Sequence, residues 1–250
     1  HTDHCNRYDK YELKSGRGLE YKNNIIQPRI VYSTTALDKQ TITGGLEYYR
    51  ESLFSDKFET GVKENKSQWY ATAFLQDDWS INKQFSVIAG LRCDYHEKYG
   101  TNLTPKASVM YKIFPFTVRF NYARGYRSPS IKELYMNWDH LGMFWIYGNS
   151  KLKPETNNYI SLSGEYVNSW ININANVYSN WFRNKIEGMW SNDQTELHYI
   201  NIGKSRLAGV ETMCKIQINR HINVHGAYNY LYTSKDADGV RLSSSSPHSG

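Results

Sequence analysis

Long apolar runs are missing from this sequence. No segment approaches the roughly 20 consecutive apolar residues of a membrane-spanning helix, and the mean hydropathy is −0.68. A helical membrane protein is therefore excluded, whereas a transmembrane β-barrel is not, because only alternate strand residues face lipid. Cysteine is scarce: Cys5, Cys93 and Cys214 have no Cys-x-x-Cys spacing, and an odd number gives no complete disulfide framework. Cys93 and Cys214 fall on the apolar side of their strands and read as small hydrophobes. Catalytic signatures are missing too, with no Gly-rich phosphate loop, His-Glu-x-x-His or Gly-x-Ser-x-Gly. Asp77 and Asp78 are strand neighbours and point to opposite faces, so they are not a paired-carboxylate site. The chain reads as a non-enzyme. Its net charge of +6 is scattered along strands and loops, which argues against a nucleic-acid face. There is no secretory leader at His1, and the two ends read as cut, so we expect an internal piece of a longer chain.

Alternation is what the sequence has in abundance. Ile171-Asn172-Ile173-Asn174-Ala175-Asn176-Val177 places apolar side chains on one face and asparagines on the other, the period-two signature of a strand. Phe85–Tyr95, Phe116–Tyr122 and Val210–Ile218 repeat it, and similar strands are expected over 18–33, 40–51, 67–80, 104–113, 157–168, 196–206 and 222–233. Soluble strands typically run about 5–6 residues; these run about 10 to 14, the length of a tilted strand crossing a bilayer. Trp69, Tyr70, Trp79, Tyr95, Tyr166, Trp170, Tyr178 and Trp181 lie near strand ends, where interfacial girdles are expected. Connections alternate between short ones, near Asn82-Lys83, Phe114-Pro115, Ser169 and Arg220-His221, and long ones, near 52–66, 127–156, 184–195 and 234–246. Only the link near 99–103 is short on the long side. Short turns on one rim and long loops on the other is the outer-membrane barrel pattern, which makes 127–156 an extracellular loop.

Four stretches resemble the barrel region of TonB-dependent outer-membrane receptors, especially their haem-uptake branch. They are Trp69–Trp79, Thr104–Val109 leading to Tyr122–Tyr135, Asn201–Glu211 with its Gly209-Val210-Glu211 signature, and Pro247–Gly250. The fold expected is all-β, an antiparallel transmembrane β-barrel, with about 11–12 strands present of about 22. The resemblance implies that the plug, the TonB-contacting segment and the last strands lie outside residues 1–250.

Haem receptors of this family carry a Phe/Tyr-Arg-Ala-Pro box and an Asn-Pro-Asn/Asp-Leu box with a haem-ligating histidine between them. Here the first box is similar to Tyr126, Arg127, Ser128 and Pro129. The second is similar to Asn149, Ser150, Lys151 and Leu152, followed by Lys153 and Pro154. Ser128 and Ser150 depart from the pattern. Proline fixes its own backbone and extends the residue before it, so these boxes are expected to shape the ends of the loop rather than touch ligand. His140 lies between them and is the expected ligand to haem iron, since imidazole is a common axial ligand. Trp138 would stack on a porphyrin, and Met143 and Tyr147 are reserve ligands of types that haem iron accepts. His1 or His4 could supply a second ligand.

The function expected is uptake of haem or another iron complex at the extracellular loops, with haem as cargo and no cofactor required. The partners implied are haem or a haem protein, the TonB energising complex through the part outside this chain, outer-membrane lipid and a surface lipoprotein. The alternatives are a siderophore or cobalamin receptor of the same family, and a non-transporting binding or adhesion barrel.

Overall fold

Period-two patterning becomes one antiparallel sheet. The computed structural model describes residues 21–140, 142–234 and, for the backbone, 248–249. The readings made on His1, His4 and Cys5 and the link near 234–246, apart from Ser234, lie outside the described residues. The strands are β1 (Lys22–Ile26), β2 (Arg29–Thr34), β3 (Gln40–Ser55), β4 (Glu64–Ser80), β5 (Phe85–His96), β6 (Gly100–Ile113) and β7 (Phe116–Arg127). A helical turn α1 (Ile131–Tyr135) and the short strands β8 (Asn137–Asp139) and β9 (Trp145–Tyr147) follow. The wall resumes with β10 (Glu155–Val167), β11 (Ile171–Trp190), β12 (Glu196–Gln217), β13 (Asn223–Thr233) and β14 (His248–Ser249). Both β1 and β2 pair with β3, and from there each wall strand pairs with its sequence neighbour, β7 with β10 across the inserted segment. Among the described residues β1 and β14 do not meet, so this part of the sheet is an open wall.

Register assigns the faces. Trp79, Val87, Val109, Phe120, Leu162, Val177, Val210 and Tyr230 lie opposite one another across eight successive strands. One residue along, Asp78, Ile88, Ser108, Asn121, Ser161, Tyr178, Gly209 and Leu231 form the row on the other face. That second face is bridged by polar side chains: the Ser108 hydroxyl donates to Asn121 Oδ1 at 2.7 Å and the Asn121 amide to Ser161 Oγ at 3.0 Å. The apolar face is the outer one and the polar face the inner one. Trp69 and Trp79 mark the apolar band on β4. Ten residues at about 3.3 Å each, tilted by about 40°, give a band about 25 Å tall, the height of a barrel's lipid-facing belt.

Four expectations are corrected. Tyr70 and Tyr178 face inward with the polar set, because adjacent strand residues cannot share a face with Trp69 and Val177. The expected strand 18–33 is broken into β1 and β2 at Gln27-Pro28, where proline supplies no N–H. The expected strands 196–206 and 210–218 are one strand, β12, because Gly209 stays paired with Tyr178 on one side and Leu231 on the other. The loops 52–66 and 184–195 shrink to 56–63 and 191–195, since pairing continues above the apolar band into polar sequence that alternates weakly.

The opposite rim is closed by short turns. Asn82 Oδ1 accepts from the amides of Gln84 and Phe85, Asn168 Oδ1 from Trp170 and Ile171, and Asn219 Oδ1 from His221 and Ile222. Each is an Asx turn, in which the side chain replaces a backbone acceptor.

A core of ordinary kind exists only at the long-loop rim. Every buried hydrophobic side chain among the described residues, namely Leu53, Phe58, Ile131, Leu134, Met136, Leu152, Ile186 and Ile202, lies there. Leu53, Phe58, Ile131 and Met136 form one cluster; Leu134, Leu152 and Ile186 form a second. The wall itself is a single layer whose apolar face is left for lipid.

Candidate functional site

Residues 128–154 are folded onto the rim. Ser130 is the N-cap of α1: its hydroxyl accepts from the Glu133 amide at 3.3 Å, and Glu133 Oε2 accepts from the Ser130 amide at 2.8 Å. This reciprocal capping box satisfies two amides that a helix start leaves unpaired. Glu133 is shared with Arg127, whose guanidinium contacts both its oxygens at 2.9 and 3.0 Å and reaches Glu155 at 3.4 Å. One arginine therefore ties the exit strand β7, the helix α1 and the return strand β10 together. Pro129 is fully buried.

The second box is held by more distant partners. Asn149 donates its side-chain amide to the Tyr199 carbonyl at 3.0 Å, and its backbone amide to the Glu133 carbonyl at 2.8 Å. Lys153 exchanges two hydrogen bonds with the Asn201 side chain, at 2.8 and 2.9 Å. The Tyr99 hydroxyl donates to the Leu152 carbonyl at 3.2 Å. Burial pushes that phenol up to about 12, so it stays a donor throughout the ordinary pH range. Leu152 itself is buried between Leu134 and Ile186, and Pro154 directly precedes β10. Tyr126 ends half-buried, with its hydroxyl unpartnered against an inward cleft.

Between the boxes, β8 and β9 form a small hairpin, and β9 lies parallel against β12 with Trp145, Ile146 and Tyr147 opposite Glu196, Leu197 and His198. His140 is at its tip: its amide donates to the Phe144 carbonyl at 2.7 Å and its carbonyl accepts from Met143 at 3.0 Å. The half-buried imidazole stacks on Phe144, with ring centroids 4.8 Å apart, and lies 6.2 Å from the Trp138 ring. Among the described residues neither ring nitrogen of His140 has a hydrogen-bond partner, which leaves them for a ligand. Trp138 packs on the first rim cluster, with the Lys57 ammonium 4.8 Å from its ring. Met143 is 63% exposed at the tip.

The four expected ligand-binding residues are thus divided. Strand alternation puts Trp138 and His140 with Phe144 on one face of the hairpin and Trp145 and Tyr147 on the other. Tyr147 stacks there on His198 at 4.8 Å, and His198 contacts Glu196 at 2.8 Å. A planar ligand seated on His140 therefore does not meet Tyr147. Sequence reasoning had no role for Glu133 or Asn201. Glu133 had a signal in the Ser-x-x-Glu spacing; Asn201, 48 positions from Lys153, had none.

A second feature lies below the loop on the inner face. A cleft of about 540 Å³ is lined by Tyr49, Tyr70, Arg92, Asp94, His96 and Tyr126, among others. Arg92 and the Thr72 hydroxyl both donate to Asp94. No group of three or more His, Cys, Asp or Glu side chains among the described residues can hold a metal ion.

The comparisons with known proteins agree with this architecture. The iron-regulated outer membrane virulence protein of Vibrio cholerae is 24% identical over 249 residues, covering 91% of this chain and 37% of that protein. The vitamin B12 transporter BtuB of Vibrio cholerae is 29% identical over 206 residues, covering 80% of this chain and 31% of its own. The crystal structure of the siderophore receptor PirA from Acinetobacter baumannii superposes with a TM-score of 0.72 at 18% identity, covering 95% of this chain and 40% of that one. The chain thus spans about a third of the length of the curated relatives it matches. The sequence model of the TonB dependent receptor-like, beta-barrel family matches residues 2–250, so the chain belongs to that family and forms part of the barrel wall of a bacterial outer-membrane receptor.

Proposed function

We propose that the whole protein imports an iron complex across the outer membrane, that residues 128–154 capture it at the extracellular rim, and that haem is the ligand suited to the hairpin tip. The observation that carries this reading is His140, whose ring nitrogens are unpartnered and whose ring is held between Phe144 and Trp138 on a docked hairpin. A porphyrin offers both an iron to ligate and a plane to lie against such rings. The boxes at Tyr126–Pro129 and Asn149–Pro154 position the hairpin and do not contact the ligand. Energy for release comes, in this reading, from a TonB complex acting through a part of the protein outside this chain.

A siderophore or cobalamin receptor is the second reading, favoured by what the relatives are named for. Titration of the full-length receptor with hemin, wild type against His140→Ala, separates the two. Haem ligation predicts a Soret shift in wild type and its loss in the variant. A wild-type receptor that binds no hemin overturns the haem reading, and equal spectra in both proteins overturn His140 as ligand.

A further inference from the structure

On the outward face, β11 and β12 carry cations where the apolar band ends. Val177, Ser179, Trp181 and Arg183 follow one another on that face of β11, and Trp181 is the last aromatic of the band. Directly opposite on β12 are Val210, Ala208, Arg206 and Lys204. The Arg206 guanidinium lies 5.2 Å from the Trp181 ring centre and donates to Ser179 Oγ at 2.8 Å, which fixes its place at the edge of the band. One step higher, Arg183 and Lys204 are a direct cross-strand pair. Their β-carbons are therefore about 4.5–5.5 Å apart, and two like charges so placed repel. All three side chains are exposed, and none has a carboxylate within ion-pair distance among the described residues. Elsewhere on this rim Arg127 is paired with Glu133 and Glu155, Lys185 with Glu187, and His198 with Glu196.

An unneutralised like-charge pair costs stability unless an anion sits across it. Its height names the anion. Arg183 lies two residues, about 7 Å along the strand, beyond Trp181, which is the headgroup layer above an aromatic girdle. We propose that Arg183, Lys204 and Arg206 form a site for a phosphorylated lipid headgroup of the outer leaflet, with the acyl chains lying along the apolar rows below. Arginine presents a fork that matches phosphate geometry, and lysine adds a point charge beside it. Trp181 supports Arg206 from below through its ring face. The site rests on the outer-membrane position of this wall and not on the ligand assigned to His140, so the two readings fail separately.

The test uses the full-length receptor in phosphatidylcholine nanodiscs, titrated with diphosphoryl lipid A. The Arg183→Gln/Lys204→Gln double variant is compared with Lys106→Gln/Arg119→Gln, which removes the same charge from the inner face. About thirtyfold weaker lipid binding is expected in the outward variant, the effect of two interfacial cations, with wild-type binding in the inward control. Inorganic phosphate is expected not to displace the lipid. In zwitterionic detergent without lipid A, the outward variant is expected to melt no lower than wild type, because the repulsion is gone, while lipid A raises the melting temperature of wild type alone. Equal lipid affinity in wild type and outward variant, equal losses in both double variants, or displacement by inorganic phosphate overturns the proposal.

Discussion

Arg127 and Glu133 form a two-pronged ion pair, at 2.9 and 3.0 Å, between the last residue of β7 and the first turn of α1. Arg127 is 44% exposed, so solvent screens the pair and its own contribution is small. Glu133 also closes the capping box, and glutamine can still do that. Glu133→Gln is therefore expected to change the local stability of 130–136 by about 0.5 kcal/mol at most. Glu133→Ala, which loses cap and ion pair together, is expected to cost about 1–2 kcal/mol. Amide hydrogen exchange across α1 reads both; equal protection in the two variants would sink the assignment of the capping role.

The two faces of the hairpin predict opposite outcomes for two aromatic substitutions. Phe144→Ala removes the ring stacked on His140 and is expected to weaken hemin binding about tenfold, the worth of an aromatic contact with its buried area. Tyr147→Ala removes a ring on the far face, stacked on His198, and is expected to leave hemin affinity unchanged. Affinity lost in Tyr147→Ala and kept in Phe144→Ala would place the ligand on the wrong face for His140.

Docking of the loop depends on the second box and its partners. Leu152→Ala opens a cavity between Leu134 and Ile186, and truncations of this kind cost about 2–5 kcal/mol. Asn201→Ala removes two hydrogen bonds to Lys153 and one to the Asn184 carbonyl, each worth about 1 kcal/mol. Both variants are expected to admit limited proteolysis within 137–148 while the heat-modifiable barrel band on gels is retained. Unchanged cleavage would show that the hairpin is held by β12 alone.

Gly209 is a close approach in the wall. A β-carbon there would lie 2.6 Å from the Tyr178 hydroxyl oxygen and 2.6 Å from the Tyr230 carbonyl oxygen, whereas one at Gly164 meets nothing within 4 Å. Gly209→Ala is expected to destabilise by about 1–3 kcal/mol, the range for overpacking, and Gly164→Ala to be tolerated. Adding Tyr178→Ala to Gly209→Ala is expected to restore only part of the loss, because the Tyr230 carbonyl remains in the way. Thermal melts of the refolded receptor measure all three.

Much of the wall was legible because strand alternation is local and survives in a single sequence. The row from Trp79 to Tyr230 follows from counting alternate residues. The family resemblance pointed to the loop ends, and the Ser130-x-x-Glu133 spacing was open to reading. What was hidden is non-local. Asn201 looks like one more inward asparagine until folding brings Lys153 beside it, and nothing local marks Ile186 for burial against Leu134 and Leu152. The upper ends of β3, β4 and β11 were read as loop because above the membrane no face need be apolar, and the period-two signal fades while the backbone pairing continues. The split between His140 and Tyr147 depended on the hairpin register, which composition does not encode.

The Asn82, Asn168 and Asn219 turns carry a last consequence. Each reversal is closed by a side chain belonging to the turn itself. The hairpins β4–β5, β10–β11 and β12–β13 are thus self-contained pieces of wall at their short end, while their long ends depend on one another through Arg127, Asn201 and the rim clusters. A wall built in this way can be laid down hairpin by hairpin from the short-turn side and locked only when the last rim contact forms. Assembly defects should therefore collect at the loop rim, where the parts are interdependent, and spare the turns, where they are not.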